Sequence, residues 1–263
     1  MRLAFFGSPE FALPAFRKLQ GQITLVVTRP DQPARRGWRR QSTAVKKIAL
    51  ENGLPVLETI PCAADLKAID KIVVVAYGSL IPEEIVGQWE CINLHPSLLP
   101  KYRGASPLQS ALLNGETKTG VTTMLLNARM DAGDILLQEE IAIGENLNFA
   151  ELQGVCAERG AELLWKTLAA DVPKIRRPQD EKTATYCRKI TKEDSLIVSG
   201  EDAWQVHNKV RAVGGYVFHK NKRVKILATR YTAAKLELVT VQPEGRQPMS
   251  YAAFRNGYGE IIL

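Results

Sequence analysis

Apolar residues fall along the first 170 positions in blocks whose period changes from one block to the next. Residues 3–6 form a short unbroken apolar run. Residues 11–19 follow with apolar positions at helical spacing, which predicts a strand and then a helix. Residues 23–28 are rich in β-branched side chains and predict a second strand. Residues 44–52 return to helical spacing and stop at Gly53, a residue suited to a helix C-cap. A third strand is expected at 55–57. Residues 72–76 are apolar throughout, the pattern of a strand covered on both faces. Further strands are expected at 91–95 and 120–127, with a helix at 107–113 between them. A long amphipathic helix over 149–170 closes the series, with Leu152, Cys156, Leu163 and Leu164 among its apolar positions.

Strands alternating with helices predict the α/β class: a doubly wound, mostly parallel, Rossmann-like sheet with helices on both faces. Residues 173–185 are rich in proline and charge and read as a linker. Beyond residue 186 the period shortens, with β-rich pieces at 223–229 and 236–242 between turn signals. The expected division is a large domain over 1–172 and a small, β-barrel-like C-terminal domain over 186–263.

Composition narrows the setting. The chain has 263 residues, 45% of them apolar and 24% charged, as in ordinary soluble domains. No apolar run is long enough to span a bilayer, so no membrane partner is expected. The chain enters its first strand at once, which leaves no room for a targeting peptide and favours a cytoplasmic protein. Four cysteines (Cys62, Cys91, Cys156, Cys187) form no C-x-x-C pair and join no histidine cluster, so neither a metal site nor a disulfide framework is expected. A monomer is the working expectation.

Charge is unevenly spread. The net +7 lies entirely from residue 171 onward, while residues 1–170 are neutral overall. Within that neutral part, residues 29–47 hold seven Lys or Arg against one Asp. A basic loop and a basic tail beside a mildly acidic body suit a polyanion. Taken alone, charge fits a solvated surface equally well.

The first strand leads into Gly7-Ser8-Pro9-Glu10-Phe11. A dinucleotide fingerprint needs three glycines at fixed spacing so that backbone amides approach a pyrophosphate. One glycine is present, and the phosphate-loop pattern is absent, so NAD- and ATP-dependent chemistry is disfavoured.

The densest chemistry lies in Asn93-Leu94-His95-Pro96-Ser97-Leu98-Leu99-Pro100-Lys101-Tyr102-Arg103-Gly104. Alternation along a strand puts Asn93 and His95 on one side. The carboxyl end of such a strand is where open α/β sheets bind ligands. An asparagine amide can donate to a carbonyl oxygen that becomes an oxyanion, and a neighbouring histidine can donate a second bond or move a proton. That pair suits acyl transfer to an amine; a buried histidine satisfied by backbone has the same spacing. Met130-Asp131-Ala132-Gly133-Asp134 offers two acids in a glycine-containing loop. They either make a turn or supply a carboxylate that orients the imidazole.

With these residues the sequence resembles the methionyl-tRNA formyltransferase family. The resemblance rests on Asn93-Leu94-His95, on Ser97 to Pro100, on Tyr102-Arg103-Gly104 and on Asp131 to Asp134. It extends to the first turn, Gly7 to Ala12, and to Val73-Val74, Ala76-Tyr77-Gly78 and Ile81-Pro82. It implies that Asn93, His95 and Asp131 are catalytic. It implies 10-formyltetrahydrofolate as the formyl donor, held by Ser97, Leu98, Leu99 and Pro100, with Tyr77 and Gly78 beside its pterin. The expected acceptor is methionyl initiator tRNA. The basic loop resembles one that such enzymes insert after the second strand, and it offers Arg35, Arg36, Trp38, Arg39 and Arg40 to the tRNA. Arginines bind phosphates, and a tryptophan can stack on an unpaired base. The chain departs from the family at Ala212-Val213-Gly214-Gly215-Tyr216, where a Pro-Trp-Pro-Gly-like turn is usual. The tail and residues 56–70 are compact. A sugar-nucleotide N-formyltransferase with the same core is the alternative enzyme. A non-catalytic RNA- or folate-binding protein is the alternative outside catalysis.

Overall fold

The structure, a computed structural model, describes residues 1–33 and 40–263. By contacts the chain forms two compact units, and neither is a single stretch. The first comprises residues 1–103, 120–141 and 153–186. The second comprises 104–119, 142–152 and 187–263. The second unit thus draws two excursions from the first 172 residues, whereas 173–185, read from sequence as a linker, belongs to the first.

A seven-stranded sheet organises the first unit. Its strands are β1 (Leu3–Gly7), β2 (Ile23–Val27), β3 (Val56–Leu57), β4 (Lys71–Val75), β5 (Cys91–His95), β6 (Lys118–Leu125) and β7 (Ile135–Ala142). Their spatial order is β7-β6-β5-β4-β1-β2-β3. The pairs β1–β2, β2–β3, β1–β4 and β4–β5 are parallel, and β5–β6 is antiparallel. The mostly parallel sheet expected from the sequence is therefore present. The chain winds outward from β1 through β2 and β3, then crosses to β4 on the other side. That reversal makes the carboxyl ends of β1 and β4 a topological switch point.

The apolar runs are unbroken because both sheet faces are covered. Ala4, Phe6, Leu25, Val27, Ile72 and Val74 share one buried cluster. Phe5 points the other way and meets Phe16 of helix α1 (Leu13–Leu19) edge-to-face, at 5.4 Å between centroids. Each such fully buried phenylalanine contributes about 1.5–3 kcal/mol. Helix α2 (Ala44–Glu51) is capped by Thr43, whose hydroxyl accepts from the Lys46 amide at 3.1 Å, and Gly53 leaves it at φ 66°. The helix expected at 107–113 is α3 (Pro107–Leu113). The long helix is α4 (Phe149–Ala169), one residue shorter than expected. On α4, a side chain at Gly160 would put its Cβ 2.6 Å from Leu94 of β5, so glycine lets the helix close on that strand. Strand β7 was not predicted, because its Gln138-Glu139-Glu140 centre breaks the apolar pattern.

The β-rich second unit is built on four antiparallel strands in the order β8 (Gly215–His219), β9 (Lys222–Thr232), β10 (Lys235–Pro243) and β11 (Met249–Ser250). Two helices absent from the sequence reading belong to it, α5 (Ala203–Val213) and α6 (Tyr251–Tyr258). Asp202 and Gln205 form a capping box on α5. Val206, Val210, Val217, Ile226, Val241 and Phe254 fill the core. The sequence Ala212 to Tyr216 turns the chain from α5 into β8. Gly214 takes φ 70°, and Gly215 leaves room for Ile197 and Val210.

All four cysteines are free thiols. Burial pushes Cys91 and Cys156 up to about 12, so neither supplies a thiolate near neutral pH. A maleimide at pH 7 should label the exposed Cys62 and leave these two until denaturant is added. Mass spectrometry of the labelled peptides checks this.

Candidate active site

Strand β5 carries the two central groups to the carboxyl edge of the sheet. Asn93 and His95 are 9% and 4% exposed and lie opposite Met124 and Thr122 of β6. The side-chain amide of Asn93 makes no hydrogen bond among the described residues. It is not among the polar atoms sealed from solvent, so the amide is open to an incoming partner. His95 is held from two sides. Its Nε2 lies 2.9 Å from the backbone carbonyl of Tyr102, and because a carbonyl only accepts, Nε2 carries the proton there. Its Nδ1 lies 3.7 Å from a carboxylate oxygen of Asp131. That is too long for a direct hydrogen bond, yet close enough for a proton on Nδ1 to feel the carboxylate directly.

The geometry separates the two acids of the Asp131–Asp134 loop. Asp131 faces His95, whereas Asp134 pairs with Arg176 at 2.7 Å. Gly133 is fixed by sterics: a Cβ there would sit 1.8 Å from the Leu125 carbonyl oxygen. The loop backbone lies flat against β6, and Asp131 takes φ 49°, a left-handed conformation rare for a residue with a side chain.

The loop after β5 is knitted from inside. Ser97 is fully buried, and its hydroxyl donates to the Lys101 carbonyl at 2.6 Å. Thr122 donates to the Ser97 carbonyl and accepts from the Leu99 amide and from Gln138. Gln138 also donates to the Leu99 carbonyl at 2.9 Å. Leu99 packs on Met124 and Ile135, and the Leu99–Pro100 peptide is cis. Of the four residues expected to hold folate, Ser97 and Leu99 therefore shape the loop, while Leu98 and Pro100 are half-buried. Tyr77 is likewise a core residue, 4% exposed and edge-to-face with Phe6, and burial pushes its phenol above the ordinary value. Its carbonyl accepts from Ser8, which joins the first turn to the end of β4. Gly78 is exposed at φ 79°, with the Arg29 guanidinium 3.5 Å from where its Cβ would stand.

Arg35, Arg36, Trp38 and Arg39 lie outside the described residues, and of Arg40 only the backbone is described. It pairs, with Gln41, against Gln32 and Pro33. Beside that ladder Lys46 binds both Asp31 and Glu58 at 2.9 Å and anchors the chain where the basic loop begins. Among the described residues no group of His, Cys, Asp and Glu could hold a metal ion. No described helix is long and apolar enough to cross a membrane. A hollow of about 440 Å³ in the second unit, beside Gln109, Phe149 and Leu227, contains none of the expected site residues.

Sequence reasoning missed three contributors. Tyr102 supplies the carbonyl that fixes His95 and takes φ 60° to do so. Arg103 is a fully buried cation. Gln179 touches the Asp131 loop from what reads as a linker. The motif Tyr102-Arg103-Gly104 was visible in the sequence, but the roles of its residues depend on partners about 80 positions away.

A mostly parallel sheet with an amide, an imidazole and a carboxylate on the strand and loop at its carboxyl edge suits acyl-transfer chemistry. Residues 2–168 match the formyl transferase family, and residues 189–237 match that family's C-terminal domain. Methionyl-tRNA formyltransferase from Carboxydothermus hydrogenoformans is 34% identical over 304 aligned positions, covering 100% of this chain and 98% of its own. That from Thermodesulfovibrio yellowstonii is 38% identical, covering 97% and 95%. The chain belongs to the methionyl-tRNA formyltransferase family. Its 263 residues spread over the 304 positions of the first alignment, so that relative carries segments with no counterpart here. Among solved structures, a methionyl-tRNA formyltransferase from Clostridium thermocellum aligns with a TM-score of 0.61 at 18% identity, over 92% of this chain and 98% of its own. The sugar 3N-formyl transferase WlaRD, solved with dTDP and 5-N-formyl-THF, aligns with a TM-score of 0.69 at 19% identity, over 89% and 87%. These two share the fold.

Proposed function

We propose that this chain transfers the formyl group of 10-formyltetrahydrofolate to the α-amino group of methionyl initiator tRNA. The supporting observation is that His95 Nδ1 lies 3.7 Å from Asp131, on the strand that carries Asn93 two positions earlier with its side-chain amide unbonded among the described residues. The amine nitrogen attacks the formyl carbon, and the carbonyl oxygen becomes an oxyanion. The Asn93 amide donates to that oxygen, and the protonated Nδ1 of His95 is placed to supply a second donor or a proton. Asp131 offsets charge on the imidazole and receives the proton that the attacking amine sheds. The bond from the formyl carbon to N10 of the folate then breaks, N10 takes up a proton, and the formyl amide is released. No covalent enzyme intermediate is formed.

Leu98, Pro100 and Gly78 are the proposed contacts to the folate, with Ser97, Leu99 and Tyr77 holding the backbone that carries them. The tRNA assignment draws on sequence identity to relatives of that activity, on the basic loop, and on exposed Lys220, Lys222, Lys225, Arg230 and Lys235 in the second unit. Fold likeness to sugar formyl transferases does not select an acceptor, since one fold serves several. The protein is taken to act as a cytoplasmic monomer. Incubation with 10-formyltetrahydrofolate and either methionyl-tRNA or an amino-sugar nucleotide tests the assignment. Transfer to the tRNA, with a steep loss as salt rises, is expected. Transfer to the sugar alone sinks it. In the same assay Arg36→Ala should raise the KM for tRNA and leave that for folate unchanged; equal changes in both exclude the proposed role of the loop.

A further inference from the structure

His95 has two partners, and both stand on strained backbone. Tyr102, which offers the carbonyl, has φ 60°, and Asp131, which offers the carboxylate, has φ 49°. Such conformations persist only where the surroundings over-determine them. In both cases residues 179–186, a strap of the same unit, bond to that backbone or to its neighbour.

On the Tyr102 side, the Tyr102 amide donates to the Thr185 hydroxyl at 2.9 Å, and the Arg103 amide donates to the Thr185 carbonyl at 2.8 Å. On the Asp131 side, the Gln179 side-chain nitrogen donates to the Asp131 carbonyl at 2.8 Å and to the Gly133 carbonyl at 2.7 Å. One side chain joins the two sides. The fully buried Arg103 guanidinium donates through Nε to the Gln179 oxygen at 2.9 Å. Its terminal nitrogens take Glu181 at 3.0 and 3.1 Å and the Tyr186 hydroxyl at 3.1 Å. The bonds to Glu181 hold the guanidinium above its ordinary pKa, so it is charged throughout the working range.

The sense of the Gln179 amide is fixed by its neighbours. Its oxygen meets a donor, and its two N–H bonds meet two carbonyls; the reversed amide would oppose like groups at all three contacts. The side chain therefore converts the fixed position of Arg103 into a fixed position for the Asp131 backbone. A shift of that backbone changes the separation between Asp131 and His95 Nδ1.

We propose that Gln179 is a positioning residue for formyl transfer, acting through Asp131 and oriented by the buried Arg103. This rests on the reading of Asn93, His95 and Asp131 as the catalytic trio.

The test is a double-mutant cycle on the full chain. Gln179→Glu keeps the side-chain size and the contact to Arg103 but turns a carboxylate oxygen toward two carbonyls. Gln179→Ala removes all three bonds without repulsion and serves as the second variant should the first not fold. Either change is expected to lower kcat about tenfold to a hundredfold, because small misplacement of a reacting group is costly. The KM for folate and for tRNA should stay within about twofold. In an Asp131→Asn background the same change should cost nothing further, since its effect passes through the carboxylate. A full additional loss in that background, or normal kcat for both single variants, overturns the inference. Near-normal turnover of Asp131→Asn alone overturns instead the reading on which it rests.

Discussion

Asn93→Ala should lower kcat for formyl transfer about a hundredfold to a thousandfold, the cost of removing one oxyanion donor, about 2.7–4 kcal/mol. The expectation follows from an amide that is nine-tenths buried and makes no hydrogen bond among the described residues. Strand β5 holds its backbone in place before substrate arrives, and in the proposed mechanism its amide donates to the oxyanion. The KM for folate should change little, because the bond strengthens only as charge develops on oxygen. Asn93→Asp is the sharper variant. It keeps the shape but presents an acceptor where a donor is needed, and it should be slower than Asn93→Ala. His95→Ala should fall in a comparable range for the loss of proton transfer, about a hundredfold to ten-thousandfold. Steady-state rates with saturating folate and acceptor measure all three, and Asn93→Ala within about threefold of the parent would exclude the amide from the oxyanion site.

Part of this arrangement is visible in the sequence and part is not, for identifiable reasons. The central strands are legible because a parallel strand covered on both faces must be apolar at every position, as 72–75 are. The placement of Asn93 and His95 at the carboxyl edge follows from strand alternation and chain direction alone. The choice between Asp131 and Asp134 does not. Both are acids in one short loop, and what separates them is Arg176, forty-two positions after Asp134. Arg103 is hidden for the same reason. Its partners Gln179 and Glu181 are far along the chain, and a charged residue carries no local sign of burial. They lie in a stretch whose prolines and charges suit a linker, yet the charges there satisfy a cation inside the first unit.

Helix α5 shows the converse. Its buried face includes His207, Asn208 and Arg211, so its polar composition masks the helical period. These groups are satisfied from a distance. His207 is shared between Thr229 and the Glu145 carbonyl, and Arg211 donates to the Gly144 and Leu147 carbonyls. Burial lowers the pKa of His207, so the ring remains neutral near pH 7 and is suited to a packing role.

Gly133→Ala should damage both stability and turnover, and the two losses have one cause. The added Cβ would sit 1.8 Å from the Leu125 carbonyl oxygen and 2.9 Å from its carbon, both backbone atoms of β6. Backbone cannot rotate aside as a side chain can, so the loop must lift. Lifting strains the Leu125 amide bond to the Asp134 carbonyl and the Gln179 bond to the Gly133 carbonyl. Overpacking of this kind costs about 1–3 kcal/mol, read as a lower denaturation midpoint at unchanged slope. The loop that lifts also carries Asp131, so kcat should fall by about tenfold or more even where the variant is fully folded. Gly154→Ala is the matched control. It lies exposed within α4 with no atom near its added Cβ. Alanine there should stabilise by about 0.5–1 kcal/mol through helix propensity and leave kcat unchanged. Opposite signs for the same chemical change would locate the damage in the contact with β6. A Gly133→Ala variant with the parent's midpoint and kcat would show that the loop does not depend on that contact.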